Sequence, residues 1–322
     1  NDVALNPARP CACAAHGLLR GPLADCFRML KGALPSPLFP CLASTMSEPA
    51  LHHVSCPDSS GGHRMACWQW GDAHAPRVVV CVHGLTRQGR DFDVLARALL
   101  AQAQAAGQGV RVLCPDVVGR GQSDRLREPM GYQYPTYVAD MLTLLAQLHA
   151  QAPITQLDWV GTSMGGIIGM LMAGMPGLPL PVPLTRLVLN DVGPGIEWSA
   201  IQRIQAYVGQ APTRFATPQD AAAHLRTLSA GFGPISDADW MTLTQPMLKP
   251  LPDGGWCLRD DPAIATPMLE LTADAVAQGE TTLWQAYENT RAATLLLRGI
   301  DSDLLTAATA ERMGACGPRA RL

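Results

Sequence analysis

From Met65 onward the apolar residues follow two alternating rhythms. MACWQW alternates, and RVVVCVHG is a continuous apolar run ended by Gly84. Both predict strands, the second buried on both faces. RQGRDFDVLARALLAQAQAAG has helical spacing and stops at Gly107. VRVLCPD predicts a strand, and YPTYVADMLTLLAQLHAQ an amphipathic helix with Pro135 near its start. QLDWVG predicts a strand, and SMGGIIGMLMAGM a helix closed by Pro176 and Gly177. TRLVLND and AATLLLRG predict further strands. Short apolar strands alternating with helices predict an α/β fold with a mostly parallel, doubly wound sheet.

Between Val192 and about Ala292 the strand pattern disappears. EWSAIQRIQAYVGQA, TPQDAAAHLRTLSAGF and ISDADWMTLTQPML read as helices, each bounded by Ser, Thr, Asp, Gly or Pro. The expected organisation is a core over 46–192, a helical lid over 193–291, and a second core portion over 292–322. Residues 1–45 hold many prolines, few charges and no sustained period, so they read as a disordered or spuriously translated extension. MSEPALHHVSC from Met46 would be a natural start.

Composition narrows the function. The chain has 322 residues, 48% of them hydrophobic, enough for one large core or two modest ones. Its apolar runs are strand-sized, so no membrane span is expected. A net charge of −3 with no Lys/Arg cluster gives no stripe for phosphates, and nucleic acid is not an expected partner. Ten cysteines at irregular spacing form neither a CxxC pair nor a Cys/His zinc pattern. A reduced, cytoplasmic protein with no metal is the simplest reading.

The chemistry concentrates at Gly161-Thr162-Ser163-Met164-Gly165, a G-x-S-x-G sequence with a strand before it and a helix after it. The glycines permit a turn too sharp for side chains. The turn holds Ser163 at the positive end of the following helix, where developing negative charge is favoured. VCVHGLTR ends a buried strand at His83-Gly84, where a loop can aim the Leu85 amide beside the Met164 amide at one oxyanion. His83 reads as a residue that shapes this loop rather than as the base.

These segments, VHGLTR, CPDVVGRGQSD, DWVGTSMGG, LVLNDVGP and LLLRGIDSDLL, resemble the α/β-hydrolase superfamily, in particular its bacterial esterase and proline-iminopeptidase-like branch. The resemblance covers the chain from about residue 65 onward, with the helical insertion as the lid. It implies a cofactor-free serine hydrolase that forms an acyl-enzyme on Ser163, with small esters ahead of amides as substrates. GRGQSD resembles a structural loop of that superfamily, which leaves Asp116 and Asp124 outside catalysis. The resemblance implies a triad acid after AATLLLRG, at Asp303 ahead of Asp301. Asp191, which ends the preceding strand, is the alternative used by a subset of relatives. Trp198, Phe215, Phe232, Trp240 and Met241 would either line an apolar pocket or form the lid's own core.

The implied order is serine, acid, histidine, yet no histidine follows Asp303 and only His224 follows Asp191. His224 lies in a lid helix. The sequence stops at GPRARL, where the next strand would begin, so the expectation is a fragment lacking about 20–35 residues of strand, loop and helix. A triad serine without its imidazole loses on the order of 10⁶ in turnover, about 8 kcal/mol of barrier. Low activity and poor solubility are therefore expected for this chain. The same scaffold also hosts C–C bond hydrolysis, perhydrolysis and acyl transfer. A non-catalytic binding module is a further alternative, against which the intact GTSMGG speaks.

Overall fold

The computed structural model describes residues 48–208 and 214–322; the expected extension over 1–45 and the Met46 start lie outside the described residues. The first half contains β1 (Ala50–Cys56), β2 (His63–Gly71), β3 (Arg77–Val82), α1 (Asp93–Ala105), β4 (Arg111–Pro115), α2 (Tyr134–Gln151), β5 (Gln156–Thr162), α3 (Met164–Gly174) and β6 (Leu184–Asn190). The insertion carries α4 (Trp198–Val208), α5 (Pro218–Leu228), α6 (Asp237–Thr244), β7 (Leu248–Pro250), β8 (Trp256–Leu258), α7 (Ala265–Leu269) and α8 (Ala273–Asn289). β9 (Ala293–Leu297) and α9 (Ala307–Ala315) return to the core.

Seven strands form one sheet in the order β1-β2-β4-β3-β5-β6-β9. β1 and β2 are antiparallel to their neighbours, and the strands from β4 to β9 run parallel. Period-two alternation divides each central strand between two cores. Val78, Val80 and Val82 face α2 and α3 with Leu157, Trp159, Leu187 and Leu189, whereas Val79 and Cys81 face α1 with Val160 and Val188. Both faces are covered, which is why these strands read as unbroken apolar runs. Arg321 forms an isolated parallel bridge to Leu295, with its N–H donating to Thr294 O at 3.0 Å and its carbonyl accepting from Leu296 at 2.8 Å.

The structure adds to the sequence reading in three places. β1 lies before the point where the pattern becomes regular, because its first four residues are exposed and alternation is weak there. The expected all-helical insertion contains the β7–β8 hairpin, whose three-residue strands are too short to show a period and carry Pro250 at an end. α8 reaches down from the insertion: Trp284, Ala286 and Tyr287 belong to the main core beside α3. Phe215 and Trp240 fill small cores of the insertion, and Phe232 stacks on Trp240 from the exposed side. Among the described residues no helix is long and apolar enough to cross a membrane.

Candidate active site

Ser163 sits between β5 and α3 with φ +50° and ψ −116°, a backbone conformation that costs a non-glycine residue about 1–3 kcal/mol. It occupies the N-cap position, yet its hydroxyl makes no capping hydrogen bond. The side chain is half-buried and its N–H is held by the Asn190 carbonyl at 3.1 Å. Neighbouring glycines explain the bend. A Cβ built at Gly165 would lie 2.5 Å from the Val82 carbonyl carbon and 2.9 Å from the His83 oxygen, and one at Gly161 would fall on the Gly165 carbonyl. All of these obstacles are main chain, so no rotamer change relieves them.

The His83–Leu85 loop adjoins the serine: a Cβ built at Gly84 would stand 3.8 Å from Ser163 Cβ. The main-chain N–H groups of Leu85 and Met164 have no hydrogen-bond partner among the described residues. Two unpaired amides flanking a strained serine form an arrangement able to stabilise an oxyanion.

His83 is fully buried. Its Nδ1–H donates to the Gly84 carbonyl at 2.7 Å and its Nε2 accepts from the Val117 N–H at 3.0 Å, so the partners fix a neutral tautomer. Burial pushes its pKa down to about 3. His83 therefore shapes the loop. Asp116 does similar work in the GRGQSD loop: Oδ1 accepts from Gly89 N–H at 2.7 Å and Oδ2 from Gln122 N–H at 2.8 Å. Asp124 pairs with Arg64 on the surface.

The two candidate acids have different surroundings. Asp191 has φ +56° and ties β6 to the loop after β9, with Oδ1 accepting from Gly299 N–H at 2.9 Å and Oδ2 from the Ser302 hydroxyl at 3.0 Å. Asp303 is half-exposed and is gripped by Arg203 of α4 through bonds of 2.7 and 2.8 Å. The guanidinium holds the Asp303 carboxyl below the usual carboxylate range. Asp301 is exposed in the same loop.

None of the described histidines makes a hydrogen bond with Ser163. His63 lies between Asp58 and Asp140, His149 accepts from Ile154 N–H, and His224 packs against Phe215 within the insertion. Sequence reasoning missed Arg120, whose only linear signal is an arginine between two glycines. It is buried, donates from Nε to the Leu85 carbonyl at 2.9 Å and from Nη1 to Val118 O and Tyr137, and lies 3.8 Å from Met164 Sδ. It thus braces both residues whose amides flank Ser163.

Comparison with known proteins identifies the family and the fold. A profile of the Alpha/beta hydrolase family matches residues 79–321. The chain is 45% identical over 274 residues to the 3-hydroxybutyrate-oligomer hydrolase of Cupriavidus necator, covering 84% of this chain and 88% of that protein. An α/β hydrolase of Novosphingobium aromaticivorans superposes with a TM-score of 0.69 at 32% identity, covering 86% of this chain and 90% of the other. An esterase of Mycobacterium tuberculosis shares the fold alone, with a TM-score of 0.57, 21% identity, and coverage of 92% and 84%. A sheet of this order, a strained serine at the end of its fifth strand and a match across most of the chain have one common explanation: the chain is a hydrolase belonging to the alpha/beta hydrolase family.

Proposed function

We propose that the protein is a serine hydrolase of carboxylic esters, acting through an acyl-enzyme on Ser163. The observation that carries this reading is the strained, uncapped serine beside the unpaired Leu85 and Met164 amides. In the proposed reaction Ser163 Oγ attacks the ester carbonyl and its proton passes to an imidazole. The Leu85 and Met164 amides hold the oxyanion, the alcohol leaves, and water releases the acid. No cofactor enters these steps. Asp303 is the proposed acid that orients the imidazole, with Asp191 the alternative; both carboxylates are held in place by neighbours, Asp303 by Arg203 and Asp191 by Gly299 N–H and the Ser302 hydroxyl.

The relative from Cupriavidus necator is named for 3-hydroxybutyrate oligomers, whose repeating link is an ester. That chemistry suits a serine acyl-enzyme, so we infer short 3-hydroxyacyl esters as the substrate class, in a cytoplasmic setting. No imidazole among the described residues is bonded to Ser163, so small imidazole added in solution should speed turnover.

The test has two parts. A fluorophosphonate should label the chain at Ser163. Release of acid from a 3-hydroxybutyrate dimer should rise with added imidazole, and both signals should vanish in Ser163→Ala. Labelling elsewhere, or dimer hydrolysis equal in Ser163→Ala, would sink the proposal. Transfer of the acyl group to an alcohol in preference to water would place the chain among acyltransferases instead.

A further inference from the structure

Far from Ser163 a second polar cluster lies under the first hairpin. Cys56 ends β1 and His63 begins β2, and the two are paired directly across the antiparallel ladder. Directly opposed residues share one face of the sheet with their Cβ atoms about 5 Å apart. That face rests on α2, which presents Asp140. Cys56 Sγ, a ring nitrogen of His63 and a carboxylate oxygen of Asp140 all lie within 4.8 Å of one another, and all three residues are buried. His63 Nε2 is 3.1 Å from Asp140 Oδ2.

Two observations show that the cluster is incomplete as a set of hydrogen bonds. Asp140 Oδ1 is buried and has no partner, although the residue is wholly inaccessible. A buried carboxylate oxygen without a donor costs free energy that the apolar neighbours do not offset. The Cys56 thiol finds only a long contact of 3.8 Å to its neighbour's carbonyl, Val54 O. The carboxylate oxygen, and the thiol once it gives up its proton, can each bind a cation.

The second nitrogen of His63 is fixed from behind. Its Nδ1 bonds Asp58 Oδ2 at 2.9 Å, while Asp58 Oδ1 is held by Ser60 N–H at 2.7 Å and Gly62 N–H at 2.9 Å. A carboxylate behind a histidine whose other nitrogen faces further ligands is the arrangement that orients metal-binding imidazoles. A surface hollow of about 480 Å³, lined by Asp58, His63, Ser123 and Arg127 among others, lies on the Asp58 side of the imidazole.

We propose that Cys56, His63 and Asp140 bind a divalent transition-metal ion, with Zn²⁺ the best match to one thiolate, one imidazole and one carboxylate, and with Asp58 orienting His63. Zn–S and Zn–N bonds of about 2.3 and 2.0 Å set ligand separations of roughly 3.3–3.8 Å, reached by side-chain rotations that draw the three atoms together. On binding, the Cys56 thiol proton and the proton on His63 Nε2 go to solvent, Asp140 binds ionised, and no electron is exchanged. The ion pins the hairpin at the sheet edge to α2. The three side chains leave a fourth position for water, and the site lies apart from the elements that carry Ser163. Linear spacing hides the site: Cys56 and His63 meet only through strand pairing, and Asp140 is 77 residues beyond His63.

The test uses the full chain with Cys11, Cys13, Cys26 and Cys41 replaced by serine, stripped by chelator and titrated with Co²⁺. The expected result is one ion per chain with a thiolate-to-cobalt charge-transfer band, displaced by Zn²⁺, and lost in Cys56→Ser and Asp140→Asn. Asp58→Asn keeps the ligands and should weaken binding about 10–100-fold. Zn²⁺ should also raise the thermal midpoint of the four-serine chain, less so in Asp58→Asn, a readout that survives if a ligand variant fails to fold. No thiolate band, a band unchanged in folded Cys56→Ser, or a thermal midpoint indifferent to Zn²⁺ would overturn the proposal.

Discussion

Gly165→Ala sets two effects of opposite sign against each other at the serine turn. Gly165 is the second residue of α3, where alanine is intrinsically favoured over glycine by about 1 kcal/mol in a helix. Against this stands the wall the new methyl would meet, 2.5 Å from the Val82 carbonyl carbon and 2.9 Å from the His83 oxygen. Atoms of this kind sit comfortably at about 3.5 Å, so α3 would have to retreat by about 1 Å. α3 is wedged between the sheet and α8, and nearly every residue along it is buried. Overpacking of such a site costs typically about 1–3 kcal/mol, and here rigid main chain puts it at the upper end. The expected net effect is a loss of about 2 kcal/mol. Gly279 is the internal control: it lies within α8, is exposed, and has nothing within 4 Å of a built Cβ. Gly279→Ala should therefore stabilise by about 0.5–1 kcal/mol. Urea unfolding followed by far-ultraviolet circular dichroism measures both. Gly165→Ala as stable as the parent, with Gly279→Ala behaving as stated, would refute the steric account of the turn.

Three further outcomes are expected. Ser163→Gly relieves the positive-φ conformation and should raise stability by about 1 kcal/mol while abolishing fluorophosphonate labelling; a lower urea midpoint would contradict the strain. His83 has a folded pKa near 3, below the free value near 6.5, so it binds its proton mainly when unfolded. Its contribution is present above about pH 6.5 and is lost as pH falls toward 3, on the order of 5 kcal/mol in all. Urea midpoints between pH 7 and 4 should show this slope, and His83→Asn should flatten it; an unchanged slope in that variant counts against the assignment. Arg203→Gln removes the partner of Asp303, but both side chains are about half exposed, so the stability cost at pH 7 should stay under about 1 kcal/mol. A larger loss would mean the pair holds α4 to the core.

The parallel core was legible because burial on both faces writes itself as unbroken apolar runs; β3 falls within the segment read as a strand, and β5 and β6 each overrun theirs by one residue. The serine turn was legible because its glycines are dictated by main-chain crowding that no other residue tolerates. β1 was hidden by its exposed outer residues, and β7–β8 by strands of three residues. Arg120 was hidden for a different reason. Its function lies in reaching carbonyls of Leu85 and Val118 that the fold brings to it, and a lone arginine announces no such partners. The choice between Asp191 and Asp303 also depends on contacts, since both follow strands at the same edge of the sheet.

The bracing around Arg120 continues outward into the insertion. Its guanidinium lies 5.7 Å from the Tyr132 ring centre, and the Tyr132 hydroxyl donates to Asp261 Oδ2 at 2.7 Å while accepting from Leu126 N–H at 2.8 Å. Asp261 in turn donates its N–H to Gly119 O at 2.8 Å, one residue before Arg120. The insertion and the amide of Leu85 are thus joined by a short train of stiff links, an arginine, a phenol and a carboxylate. The 260–262 segment is therefore tied to the Leu85 carbonyl through side chains as well as through the loop's own main chain.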